Sequence, residues 1–277
     1  MRSIQAAVVR RKGGPFLVEP ITLDDPRENE VLIRIAGVGL CHTDLVVRDQ
    51  YFPTPLPAVL GHEGAGIVEA VGARVTKVAE GDAVVLSFAS CGVCANCQSG
   101  RYGYCPDLYG RNFSGGRPDG SSPCCDAHGA RVSGYFFAQS SFGEYAIATE
   151  RNVVKIPADV PLEIMGPLGC GVQTGAGAVM NVLRPAAGSS IAIFGAGSAF
   201  RRSWRRRSSA APRLSRSIST RNASIWRGSL ARPTWSILGA IRLRQLLPIL
   251  PAVRAFNTHS SAQVCLQLYV RRLIACA

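Results

Sequence analysis

Near residue 199 the character of the chain changes, and that break limits what a single fold can include more than any other feature. Residues 200–277 hold fifteen Arg and no Lys, Asp or Glu. The formal charge of the 277-residue chain, +13, sits almost wholly there, because residues 1–199 carry 16 Lys+Arg against 18 Asp+Glu, a balance of −2. Trp204, Trp226 and Trp235, all the Trp of the chain, also follow the break. Arg is rarely buried unless paired, so this stretch does not read as a helix or strand packed on a core. The first stretch reads as an ordinary near-neutral globular protein. At 47% hydrophobic and 18% charged residues the chain is not of disordered composition, and its length predicts about two domains. No apolar run reaches eighteen residues, so no membrane helix is expected. The start, MRSIQAAVVRRKGG, lacks a long apolar segment and a cleavage site, so no signal peptide is expected. Ten Cys then point to metal or thiol chemistry in a reducing compartment, the cytoplasm, rather than to disulfides.

The first stretch alternates short strands with Gly and Pro turns. Residues 4–9 (IQAAVV), 31–36 (VLIRIA) and the IVEAV after Gly66 read as strands, and LCHTDLVVRDQ as the start of a short helix. Residues 91–105 form a Cys-rich lobe, 106–134 a Gly/Ser/Pro-rich loop, and SFGEYAIATERNVVKIP returns to strand. Such a pattern predicts a small barrel. After Pro161 the texture becomes helical, and the buried-type strand SSIAIF runs into Gly195-Ala196-Gly197, the way a dinucleotide-binding unit begins.

Two constellations carry chemistry. Cys91, Cys94, Cys97 and Cys105 are spaced C-x2-C-x2-C-x7-C, which can close a tetrahedral structural zinc site with no open position. Two disulfides, free thiols or an iron–sulfur cluster are the alternatives. The second set is dispersed: Cys41 in LCHTD, His62 and Glu63 in GHEGAG, and Cys170 in GCGVQTG. Two Cys and one His make the three-ligand open site of a catalytic zinc. Cys124, Cys125 and His128 read as unligated loop residues, and Tyr51 and Phe52 as either aromatic pocket lining or packing.

With these motifs in this order, residues 1–199 resemble the zinc-dependent medium-chain alcohol dehydrogenases. GVGLCHTDLVVRDQYFPTPLPAVLGHEGAGIVEAVG is most similar to the aryl-alcohol (benzyl-alcohol) branch. The resemblance covers about seven tenths of the chain. It implies a GroES-like β-barrel catalytic domain over residues 1–160 holding two zincs, and the beginning of an α/β Rossmann domain for NAD over 161–199. It implies Cys41, His62 and Cys170 as catalytic zinc ligands and Glu63 as an occasional fourth. Thr43 would receive the alcohol proton, and Asp44 would hold the far nitrogen of His62. His42 would face the cofactor pyrophosphate, Thr174 the nicotinamide, and Gly195 and Gly197 the dinucleotide. The implied reaction is hydride transfer from a primary, aromatic alcohol to NAD⁺, with zinc polarising the alcohol. The partners implied are a small alcohol or aldehyde and, for an intact relative, a second copy of the chain. One departure lies inside the motif: many family members carry a proton-relaying His where this chain has Val46.

The family pattern stops after Gly197. The fingerprint G-x-G-x-x-G needs a third glycine and a later acidic residue; here Ser198, Ala199 and Phe200 follow, then no Asp or Glu. Regrouping codons from the last base of one and the first two of the next lets Trp204 become Met, Ile218 become Asp and Arg become Ala. One permitted reading of 217–236 is VDIHPERLDLARELGATHVI, which resembles the missing segment. Residues 200–277 are therefore expected to be an out-of-frame tail, and this chain as written to be impaired. The competing expectations are an inactive zinc-binding remnant and a nucleic-acid binder acting through the Arg-rich tail. The tail contains no recognised nucleic-acid motif, so nucleic acid is not the expected partner.

Overall fold

The computed structural model describes residues 1–184 and the strand backbones Ile191–Phe194, Leu214–Ser217 and Tyr269–Val270. The chain divides into two units, Met1–Gln173 and Thr174–Ala277.

The first unit is built on two five-stranded sheets. One has the order β4 (Ala58–Val59), β1 (Arg2–Val9), β2 (Phe16–Leu23), β7 (Cys124–Cys125), β8 (Arg131–Val132). The other has the order β10 (Val153–Lys155), β6 (Ala83–Leu86), β5 (Gly64–Val71), β3 (Glu30–Val38), β9 (Tyr145–Thr149). All pairings within these sheets are antiparallel. The lead-in to β9 joins the sheets into a barrel. Glu144 N donates to Gln5 O at 3.0 Å, while Glu144 O accepts from Ile35 N at 2.9 Å, so one residue bonds to both.

The apolar alternation in β3 explains why it lies at the centre. Leu32 packs into the cluster with Ile4, Val8, Ile21 and Leu23, whereas Val31 and Ile33 pack with Val68, Val84 and Leu86. Successive side chains of a strand point to opposite faces, so β3 contributes to two cores at once. Ile147 in β9 faces the first cluster, and Ala146 and Ala148 the second.

The expected strands 4–9, 31–36 and IVEAV lie within β1, β3 and β5, and the expected short helix is α1 (His42–Arg48). Residues 106–134 differ from expectation. They contain α3 (Leu108–Phe113), which follows α2 (Ala95–Gln98), together with β7 and β8. Distant ion pairs order the rest of the segment. Arg117, buried, donates to Glu30 at 2.7 and 3.0 Å and to Asp24 at 2.9 Å. Local composition reveals no such long-range partner.

The second unit contains β11 (Ile191–Phe194), paired in parallel with β12 (Leu214–Ser217) and antiparallel with β13 (Tyr269–Val270). The strand expected from SSIAIF is thus present as β11. Gly195 and Gly197, and the tail residues Cys265, Cys276 and His259, lie outside the described residues.

Candidate metal centre

Three separate stretches of the first unit converge. Cys41 precedes α1, His62 and Glu63 lead into β5, and Cys170 precedes α4 (Gly171–Gly177). Their ligand atoms all lie within 4.8 Å of one another. His62 and Glu63 are buried.

Local chemistry holds this arrangement. Asp44 stands at the third position of α1, where its carboxylate can reach back to the backbone preceding the helix, in the manner of a capping box. One oxygen accepts from Cys41 N at 2.9 Å. The other accepts from Gly61 N at 3.1 Å and lies 2.9 Å from His62 Nδ1. Gly61 makes the last two contacts possible. Its φ is +88°, a region that disfavours side chains, and a Cβ there would overlap the ring and backbone of Phe142. The stretch bearing Cys170 approaches just as closely. A Cβ on Gly166 would overlap Glu63 O, and one on Gly169 would overlap Leu86 O.

The donor set fits a metal ion. His62 Nε2 is buried with no hydrogen-bond partner among the described residues, although buried polar atoms are normally paired. With Nδ1 held by Asp44, Nε2 is the atom left for a ligand, and two sulfurs and a carboxylate stand beside it. Thiolates with an imidazole suit zinc. The electrostatics agree. The Cys170 thiol, and then His62, hold the Cys41 thiol down at about 3, so Cys41 is the thiolate of the pair. Cys41 and burial in turn push Cys170 up. Burial alone would lower the His62 imidazole, but Asp44 and the Cys41 sulfur outweigh it and raise it to about 10. Burial and then the Cys41 charge raise the Glu63 carboxyl; Glu63 Oε1 accepts from Gly171 N at 3.2 Å.

Around this centre, Thr43 Oγ1 lies 3.6 Å from Cys41 Sγ. His42 is exposed at the start of α1, and Val46 is buried. Thr174 belongs to the second unit. Phe137 stacks on the His62 ring at 4.5 Å between centroids, and Phe136 meets it edge-on at 5.5 Å. Of the two aromatics considered for a pocket, Tyr51 is exposed, and Phe52 packs with Phe113 at 5.9 Å, so packing describes Phe52.

The cysteine lobe is a second centre. The ligand atoms of Cys91, Cys94, Cys97 and Cys105 also lie within 4.8 Å of one another, with no disulfide among them. Backbone N–H groups point at the sulfurs: Cys94 N to Cys91 Sγ at 3.4 Å, Cys97 N to Cys94 Sγ at 3.5 Å and Cys91 N to Cys105 Sγ at 3.4 Å. The N–H groups of Val93 and Cys94 pull the Cys91 thiol down to about 6. Asn112 of α3 fastens the lobe's base by exchanging two hydrogen bonds with the backbone of Ala89, at 2.9 and 3.0 Å. Elsewhere, the Cys124 side chain is core, its thiol pushed up to about 12 mainly by burial, and His128 sits in a turn.

Gln139, Ser87, Asn152 and Phe137 surround the first centre without having been singled out from the sequence. No local motif marks them, because the contacts by which they reach the centre join residues at least fourteen positions apart.

A barrel carrying a Cys/His/Cys centre and a four-Cys lobe defines a class. Residues 27–158 match the family described as alcohol dehydrogenase GroES-like domain, and the N-terminal part of this chain is similar to alcohol dehydrogenases over about half of their length. Among its relatives is the geraniol dehydrogenase of Castellaniella defragrans, 55% identical over 195 residues, a match covering 70% of this chain and 52% of that protein. Among solved structures, an alcohol dehydrogenase zinc-binding domain protein from Burkholderia ambifaria is 55% identical with a TM-score of 0.70, covering 72% of this chain and 54% of that one. The benzyl alcohol dehydrogenase of Acinetobacter calcoaceticus is 48% identical with a TM-score of 0.68, again covering 72% and 54%. The chain thus spans about half the length of the relatives it matches. No helix among the described residues is long and apolar enough to cross a membrane.

Proposed function

We propose that this chain is the catalytic-domain part of a cytoplasmic, zinc-dependent dehydrogenase that transfers hydride from a primary, aromatic-type alcohol to NAD. The convergence of Cys41, His62, Glu63 and Cys170 around the unpartnered His62 Nε2 carries this reading. The names of two relatives support the substrate class: geraniol and benzyl alcohol are both primary alcohols with an unsaturated carbon beside the carbinol. A bound zinc would supply Lewis acidity, making the alcohol easier to deprotonate. Cys41, Cys170 and His62 Nε2 would hold that ion. Asp44 holds the proton on Nδ1, so the proton that a metal displaces from the imidazole would leave from Nε2. Thr43 would take the alcohol proton at Oγ1. Val46 carries no titratable group, so onward transfer would run through water or the cofactor ribose. The four-Cys lobe would hold a second, structural zinc.

We assign residues 1–160 to the catalytic domain, 161–199 to the start of the NAD domain and 200–277 to an out-of-frame tail. A second reading, a zinc-binding but inactive remnant, is favoured by one feature. After Gly197 the chain offers neither the third glycine nor an acidic residue, and pyrophosphate binding needs N–H groups brought close by such glycines. One experiment separates the two: load residues 1–277 with zinc, then titrate NAD⁺ by calorimetry beside a turnover assay on benzyl alcohol. Saturable NAD⁺ binding with steady turnover establishes a working dehydrogenase. Zinc uptake without NAD⁺ binding establishes the remnant, and failure to take up zinc overturns both.

A further inference from the structure

The three candidate ligands come from distant stretches, so non-local contacts must set their mutual distances. Asp44 ties two of them, bonding to Cys41 N, Gly61 N and the His62 ring. None of these bonds reaches Cys170.

A second buried amide closes that gap. Gln139 is wholly buried, and its side chain uses both of its ends. Oε1 accepts from Gly64 N at 3.1 Å, and Nε2 donates to His62 O at 3.0 Å and to Ser87 O at 3.1 Å. Gln139 therefore clasps the backbone on both sides of Glu63. The Ser87 hydroxyl carries the link onward. It donates to Gly169 O, in the peptide just before Cys170, at 3.0 Å, and accepts from Gln173 Nε2, just beyond Cys170, at 3.1 Å. Ser87 is itself anchored, because Asn152 Nδ2 donates to Ser87 O at 3.2 Å and Ser87 N donates to Asn152 O at 2.8 Å. The contact that this frame secures is tight, since a Cβ on Gly169 would overlap Leu86 O.

The backbone that presents Gln139 is unusual. Phe137, Ala138 and Ser140 have φ of 52°, 50° and 44°. Non-glycine residues hold such conformations only where their surroundings over-determine them, and such sites cluster at functional centres. Here the strained stretch delivers both the Gln139 amide and the Phe137 ring stacked on His62.

We propose that Gln139 is a positioning residue of the metal centre: it sets His62 and Glu63 in place and, through Ser87, registers Cys170 against them. The proposal rests on the reading of Cys41, His62 and Cys170 as metal ligands. Gln139 touches no ligand atom itself and acts through the backbone.

The test loads the full chain with Co²⁺, whose thiolate-to-metal and ligand-field absorption reports the coordination of each site. Chelator competition then measures affinity in the mixed thiolate–imidazole class and in the four-thiolate class separately. In Gln139→Met, which removes every hydrogen bond at similar length, the mixed class is expected to weaken about 10–100-fold, the range for lost outer-shell partners. Its ligand-field bands should shift while the four-thiolate class stays unchanged. Ser87→Ala should shift the same bands with a smaller loss. A folded Gln139→Met chain with wild-type affinity and bands in the mixed class overturns the proposal. If Gln139→Met loses both classes and so has not folded, Ser87→Ala decides: moved bands support the proposal and unmoved bands overturn it. Wild-type chain that takes up Co²⁺ only in the four-thiolate class overturns the metal-site reading itself, before any variant is made.

Discussion

Asp44 concentrates more of the site than any other side chain, since one buried carboxylate orders the Cys41 backbone, the Gly61 backbone and the His62 ring. Changing Asp44→Ala strands all three donors. The expected outcome is a 10–100-fold loss of zinc affinity in the Cys41/His62/Cys170 class, with the four-Cys lobe unaffected; equilibrium dialysis against graded chelator checks it. The same residues set a pH dependence. In the metal-free chain the imidazole is raised to about 10 and the Cys170 thiol is raised too, while Cys41 is already a thiolate near 3. At neutral pH, zinc must therefore displace protons from His62 and Cys170. Affinity should fall as pH falls, about tenfold per pH unit for each proton displaced, because binding and proton release are coupled. Calorimetry of zinc binding in buffers of different ionisation enthalpy counts these protons, and a count of zero would contradict the scheme.

At the scale of elements, short segments are held by distant partners rather than by their own propensity. α1 is only seven residues long, and its start is secured by Asp44, which also reaches the stretch before β5. Gly61→Ala tests that connection. At φ +88° with Phe142 against the new methyl, it should cost about 1–3 kcal/mol or more by denaturant unfolding and loosen His62 as well. The segment read as loop depends on the buried Arg117 with Glu30 and Asp24. Arg117→Ala leaves Glu30 buried without its cation, so a loss of about 3 kcal/mol is expected, with faster hydrogen exchange across residues 115–134. In the lobe, α2 spans four residues and cannot be stable alone. Cys97→Ser should remove metal from the lobe and expose it to proteolysis, because a structural metal contributes directly to folding.

For the molecule as a whole, the two centres differ in what they hold together. The Cys41/His62/Cys170 centre joins three separate stretches of the barrel unit, whereas the four-Cys lobe closes on itself within fifteen residues. Chelation should therefore remove zinc in two kinetic classes, with only one lowering the barrel's melting temperature. Differential scanning calorimetry beside metal analysis checks this. A chain restored to the frame that places Asp at position 218 should favour NAD⁺ over NADP⁺, since a carboxylate there repels a 2′-phosphate. A preference for NADP⁺ would show the frame or the branch to be misassigned.

Features that depend on local spacing were legible in the amino-acid sequence. The strand alternation of β3, the C-x2-C-x2-C-x7-C lobe and the LCHTD and GHEGAG motifs were all readable, because adjacent residues share one conformation and one face. The resemblance those motifs carry also linked Cys170 to Cys41 and His62 across more than a hundred positions, a link that spacing alone does not provide. How these pieces are held emerged with the fold. Gln139 and Ser87 sit in segments with no motif, and Arg117 lies in a stretch whose composition reads as loop. Each acts through hydrogen bonds to groups far along the chain. A buried polar side chain draws its role from the partners that folding brings to it, and a linear text does not contain those partners.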